Sequence, residues 1–158
     1  MQADAEVLVN AVNCVGIMGK GIALQFKLTF PENFEAYRDA CRRGDVIPGR
    51  MHVFATGRPG NPRFIVNFPT KRHWRESSRL EDIEAGLSAL TQEIRRLGVH
   101  SIALPPLGCG LGGLDWQVVR PCIEAAFAEV PHVRVRLYEP ADARTIVEPR
   151  LPRTAREG

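Results

Sequence analysis

The chain has 158 residues, 44% of them hydrophobic and 25% charged, which suits one soluble domain with a single sizeable core. A net charge of +3 is too mild to imply nucleic-acid binding without a local basic patch. No apolar run is long enough to span a bilayer, and the acidic opening "MQADAEVLVN" lacks the apolar centre of a signal peptide, so a cytoplasmic location is expected.

"AEVLVNAVN" (residues 5–13) is apolar and β-branched and reads as a buried strand ending at Asn13. "CVGIMGKG" follows as a glycine-punctuated loop. "GIALQFKLTF" alternates like a strand but also pairs Ile22 with Phe26 and Leu24 with Leu28; the glycines before it and Pro31 after it favour a short helix. Pro31 then opens a second helix with Phe34, Tyr37 and Cys41 on one face and Gly44 at its end. "MHVFAT" and "RFIVNF" are strands joined by the turn "GRPGNP".

Leu80, Ile83, Leu87, Leu90, Ile94 and Leu97 form the clearest helical stripe, with Ser78 and Glu81 as its expected capping box and Gly98 as its stop. "SIALPPL" reads as a strand leading into "GCGLGG". "DWQVVRPCIEAAFAEV" reads as a last helix with Val119, Ile123, Phe127 and Val130 inward; Pro121 suggests that its first turn is a separate 3₁₀ piece. "VRVRLY" alternates as a strand. From Glu139 the chain becomes Pro- and Arg-rich, so a domain over residues 1–140 followed by a flexible tail or linker over 141–158 is expected. Strands alternating with helices give the α/β class, with helices on both faces of a largely parallel sheet.

In such sheets ligands bind beyond the carboxyl ends of the strands. Three segments supply loop chemistry there: "NCVGIMGKGIA", "NFPTKRHW" and "PPLGCGLGG". The glycines of "GCGLGG" allow several backbone N–H groups to line one concavity ahead of a helix, which suits a diphosphate; a flexible turn is the plainer alternative. "GIMGKGIA" offers a second such loop, in which Lys20 reads first as a solvated lysine. Asn13 either caps its turn or offers its amide to a ligand hydroxyl.

Lys71 stands at a strand end beside Arg72 and Arg75. Partial desolvation and like charges would lower its pKa, and a neutral amine can attack an aldehydic sugar carbon; an ordinary surface lysine is the other reading. Arg72, Trp74, Arg75 and Arg79 combine charge with a stacking surface for a single nucleic-acid strand, unless Trp74 only covers the core. The cysteines Cys14, Cys41, Cys109 and Cys122 form no CxxC pair and no zinc-spaced cluster. They read as reduced, and no metal site is expected.

Taken together, "LVNAVN", "MGKGIALQFK" and "PPLGCGLGGLDW" resemble the macrodomain family, over about residues 3–138. "NFPTKRHW" beside "GIMGKGIALQFK" is similar to its DarG-type branch, bacterial antitoxins that remove ADP-ribose from thymidine in DNA and are related to the terminal ADP-ribose glycohydrolase of animals. The resemblance implies a three-layer α/β/α fold with a mixed, largely parallel sheet. It implies Lys71 as the catalytic lysine. It also implies ADP-ribose contacts at Asn13, Gly19, Lys20, Gly21, Ile22, Thr70, Gly108, Cys109, Gly110, Leu111 and Gly112, with Arg72, Trp74 and Arg75 on the DNA.

The implied partners are ADP-ribose, ADP-ribosylated single-stranded DNA and a DarT-type toxin; no cofactor and no membrane are implied, and a monomer is expected. A non-cleaving ADP-ribose-binding module, or a hydrolase of other ADP-ribose derivatives, are the alternatives. Two departures stand out. Gly112 replaces an aspartate that works with the lysine in the animal relative, and the family's early Gly-Asp, which reads adenine, has no counterpart at Asp4. An N-terminal edge strand is therefore expected to be missing.

Overall fold

Strand β1, Val7–Val12, occupies the middle of a five-stranded sheet because it is apolar on both faces; Val7, Leu8 and Val9 are completely buried. The computed structural model describes residues 3–147, apart from the Arg144 side chain. After β1 come α1 (Gly21–Thr29), α2 (Pro31–Arg42), β2 (His52–Ala55), β3 (Phe64–Pro69), α3 (Leu80–Leu97), β4 (Ser101–Leu104), α4 (Trp116–Ala128) and β5 (Arg134–Leu137). The strand order is β2-β3-β1-β4-β5. Only β2 runs antiparallel, as the hairpin partner of β3.

Period-two alternation sorts the strand residues into two cores. Val7, Val9, Val66, Phe68, Ile102 and Leu104 face α3 and α4, while Leu8, Ile65 and Ala103 face the α1 side. The fold is thus the expected α/β/α sandwich with helices on both faces. Helix α3 sits very close on β3 at one point: a Cβ on Gly86 would run into the ring of Phe68. Its stop is as read from sequence, with Gly98 left-handed at φ 66° and its N–H bonded to the carbonyls of Ile94 and Arg95.

Several sequence expectations are corrected. Helix α2 packs Tyr37 inward with Phe34 and Cys41 half-buried beside it, as expected, and also buries Asn33 and Ala40. Asn33 is tolerated because its amide pairs with that of Asn67, Nδ2 to Oδ1 at 3.2 Å one way and 2.8 Å the other. Ser78 does not cap α3: Arg79 holds the N-cap position without a side-chain cap bond. Pro121 lies within one continuous α4, whose N-cap Asp115 accepts from the Gln117 N–H at 2.9 Å. Ala143–Ile146, placed in the tail by composition, form a 3₁₀ turn; Ile146 and the extended Val147 after it are buried with Ala3, Ala5 and Phe26, and the Ile146 carbonyl accepts from the Ala3 N–H. The rest of the expected tail, 148–158, lies outside the described residues.

Candidate active site

The chain leaves β1 toward one side of the sheet and returns through β4 to the other, so β1 lies between β3 and β4 with all three parallel. A crevice beyond their carboxyl ends is the position where this topology holds ligands. The loops that follow these strands are residues 13–20, 70–79 and 105–115, the three segments singled out by their residue types.

Contacts draw the loops together. The pairing of β1 with β3 continues past the strands: the Thr70 and Lys71 N–H groups both donate to the Val12 carbonyl, at 2.8 and 3.4 Å. The Cys14 thiol donates to the Lys71 carbonyl at 3.4 Å and the Cys14 N–H to that of Arg72 at 3.3 Å. The Ser78 N–H donates to the Gly112 carbonyl at 2.9 Å, joining the second and third loops. A Cβ on Gly21 would lie 3.5 Å from Leu111 Cδ1, so the first and third loops meet as well.

Lys71 is half-buried in this crevice and makes no ion pair among the described residues. Burial lowers its pKa below the usual lysine value, and the charge of Lys20 lowers it further. Its amine is therefore more often neutral than a surface lysine's. Gly112 is alongside; a Cβ there would be 4.0 Å from Lys71 Cε.

The first glycine loop ends at the start of α1. Lys20 is the N-cap and offers no side-chain acceptor, so N–H groups of the first turn, beginning with Gly21 and Ile22, have no side-chain capping partner. Gly21 is left-handed at φ 58°, and Gly19 and Lys20 are exposed. In the third loop Gly108 and Gly110 take φ 75° and 69°, which L side chains rarely adopt, and Gly110–Gly112 form one 3₁₀ turn. Gly108 is buried, Cys109 half-buried and Leu111 65% exposed, so Leu111 stands at the rim. Both loops present a positive helix or turn end to the same space, as anion sites do.

Other expected site residues are engaged elsewhere. Asn13 is spent on its own loop: Nδ2 donates to the Ile17 carbonyl at 2.8 Å, and Oδ1 accepts from the Val15 and Ile17 N–H groups and from Tyr37, the last at 2.7 Å. Its turn-capping role is the one the geometry displays. Thr70 is buried, with Oγ1 3.4 Å from the Val12 carbonyl. Arg72 makes a two-point ion pair with Asp82 and is not a free cation. Trp74 is 41% exposed rather than a lid on the core; it stacks on His73 at 5.4 Å and carries the Arg75 guanidinium over its ring at 4.4 Å.

Two features are not legible in the sequence as site chemistry. Ser78 lies in the crevice wall with its hydroxyl buried and unpaired, where the capping-box pattern assigns it a helix start. A wholly buried amide cluster, Asn10, Asn33 and Asn67, supports the floor: Asn10 Nδ2 donates to Asn67 Oδ1 at 3.2 Å, and Asn67 Nδ2 lies 3.0 Å from His52 Nδ1. Burial, followed by the charge of Arg43, lowers the His52 pKa. No group of three or more His, Cys, Asp or Glu residues able to hold a metal exists among the described residues, and no helix there is long and apolar enough to cross a membrane.

This arrangement has close counterparts. The chain is 51% identical over 148 residues to the DNA ADP-ribosyl glycohydrolase of Mycobacterium tuberculosis, covering 94% of this chain and 42% of that protein. The solved macrodomain of Mycobacterium tuberculosis DarG superposes with a TM-score of 0.86 at 54% identity, covering 87% of this chain and 91% of that one. Thermosipho africanus DarTG in complex with ADP-ribose superposes with a TM-score of 0.80 at 32% identity, covering 95% and 40%. The chain spans less than half the length of the full-length relative it matches. The family model for the Macro domain matches residues 9–123, and the chain belongs to the macrodomain family.

Proposed function

We propose that the protein is an ADP-ribosyl glycohydrolase that removes ADP-ribose from thymidine in single-stranded DNA, as the antitoxin side of a DarT/DarG-type pair. The observation that carries this reading is Lys71, an amine with a lowered pKa and no acid partner among the described residues, at the point where two glycine loops converge. The likeness to DNA ADP-ribosyl glycohydrolases supports the choice of substrate.

In this reading the diphosphate lies against the backbone of residues 19–22 and 108–112, and this anchoring holds the reacting sugar against the lysine, so that positioning removes much of the barrier. The bond between thymine and the anomeric carbon breaks as oxocarbenium-like charge develops there. The neutral Lys71 amine takes the anomeric carbon of the sugar as the thymine leaves with a proton. The resulting glycosylamine opens at its ring C–O bond, the amine's remaining proton going to the ring oxygen, and water hydrolyses the imine so formed, releasing ADP-ribose and restoring the amine. The alternative, an ammonium that protonates the departing base while water attacks, uses the same residue in its other protonation state.

Incubation with an ADP-ribosylated single-stranded oligonucleotide, followed by mass spectrometry, tests this. Unmodified oligonucleotide and free ADP-ribose are expected, and Lys71→Ala should abolish both. A protein that binds ADP-ribose but leaves the oligonucleotide modified is a binding module. Turnover of acylated ADP-ribose or ADP-ribose phosphate alone would move the substrate elsewhere.

A further inference from the structure

The third loop has no side chain at Gly112, and the space is filled by Ser78. A Cβ on Gly112 would collide with Ser78 Oγ while lying 4.0 Å from Lys71 Cε. Gly112 does not have a left-handed backbone, unlike Gly108, Gly110 and Gly113 around it. Glycine is required there for room rather than for φ. The room is held by a hydrogen bond, since the Ser78 N–H donates to the Gly112 carbonyl at 2.9 Å.

The Ser78 hydroxyl has no structural role that would account for it. The residue is 7% exposed, and Oγ is shielded from solvent with no hydrogen-bond partner. It does not cap α3, whose N-cap is Arg79. Buried hydroxyls ordinarily find a partner, because an unpaired one forfeits its hydration for nothing. Lys71 borders the same space, its Cε 4.0 Å from the position of a Cβ on Gly112, and the four rotatable bonds of its side chain can bring the amine to the hydroxyl.

We infer that Ser78 is the positioning partner of Lys71, its hydroxyl standing beside the amine in the space that a side chain at position 112 would otherwise take. The inference rests on Lys71 being the reacting group of the proposed function. A hydroxyl suits this place because it accepts from an ammonium and donates to a neutral amine, so it holds the lysine in both protonation states. A carboxylate would favour the ammonium. With Ser78 as its partner, Lys71 is oriented without being fixed in its charged form. Asp115, the nearest acid along the chain from Gly112, is occupied as the cap of α4.

The test is single-turnover and steady-state hydrolysis of ADP-ribosylated single-stranded DNA across pH by the parental protein and by Ser78→Ala, Ser78→Thr, Ser78→Asp and Lys71→Ala, with ADP-ribose affinity and thermal melting measured alongside. Ser78→Ala should lower kcat by about tenfold or more at unchanged KM and ADP-ribose affinity, and, because the charge-assisted bond to the ammonium is the stronger of the two, move the lysine limb of the pH profile to lower pH. Ser78→Thr should recover much of the rate, and Ser78→Asp should move that limb upward. Parental kcat in Ser78→Ala overturns the inference. So does a rate loss that leaves the pH profile in place or follows the melting temperature. If Lys71→Ala itself retains parental turnover, the functional reading fails first; if it is inactive while Ser78→Ala is parental, only the present inference does.

Discussion

Arg72 and Asp82 are locked in a two-point ion pair, Nε to Oδ2 at 3.2 Å and Nη2 to Oδ1 at 3.3 Å. Asp82 sits in the first turn of α3 and is 8% exposed, so the pair staples the loop carrying Lys71 to the helix behind it. Such a fork is geometrically specific as well as charged. It gives the basic residues of "TKRHWR" different roles. Arg72 holds the loop, whereas Trp74 and Arg75 remain at the surface.

This separation predicts different salt behaviour. Arg75→Ala should weaken binding to single-stranded DNA and flatten the plot of log affinity against log salt by about 0.7, the share of one phosphate. Arg72→Ala should leave that slope unchanged. Trp74→Ala should weaken binding by about 1–3 kcal/mol through lost base stacking. Fluorescence anisotropy at several salt concentrations measures all three, and equal slopes for both arginine variants would remove the distinction.

The rate should depend on pH through Lys71. Its folded pKa lies below that of an ordinary lysine, so below this value the amine is protonated and cannot attack. Turnover should rise with pH through the folded value and level off at lower pH than an ordinary lysine amine would allow. Removing the like charge with Lys20→Ala should move the rising limb to higher pH. A rate that falls over the same range would assign Lys71 the proton-donor role instead.

Gly86 predicts a packing cost remote from the chemistry. Because a Cβ there meets the Phe68 ring, Gly86→Ala must lift α3 off β3. The expected loss is about 1–3 kcal/mol, despite the better helix propensity of alanine. Urea unfolding at unchanged m-value is the measurement; a variant as stable as the parent would mean that the ring moves aside freely.

Cys14 should be inert. Burial, followed by the influence of Cys41 and Asp82, pushes its thiol up to about 11, and its proton is engaged by the Lys71 carbonyl. At pH 8 it should resist alkylation by iodoacetamide until denaturant is added, as peptide mass mapping would show. Rapid labelling of the native protein would require the bridge between the first two loops to open.

The limits of the sequence are clearest at particular residues. The stripe from Leu80 to Leu97 needs only local geometry, because spacings of three and four place side chains on one helix face wherever the helix lies; the helix is as read. The same holds for the alternating strands, the stop at Gly98 and the positions of the three glycine- and lysine-bearing loops. Asn33 escapes a sequence reading because its burial depends on Asn67, 34 residues away, presenting a matching amide. Ile146 and Val147 escape it because the Pro- and Arg-rich composition around them does not reveal that Ala3 and Ala5 leave a place for them.

By itself, then, the sequence determined the local elements, the α/β class and which loops carry reactive chemistry, since these follow from periodicity, glycine conformation and residue type. Only the tertiary structure decided what each side chain is for. Arg72 became a brace when Asp82 came within reach, Asn13 a loop tie when its amide met Ile17 and Tyr37, and Ser78 part of the crevice wall when Gly112 left room. Hydrogen bonds, ion pairs and desolvation depend on distances of a few ångströms between residues far apart in the chain, and those distances exist only once the sheet has set its order.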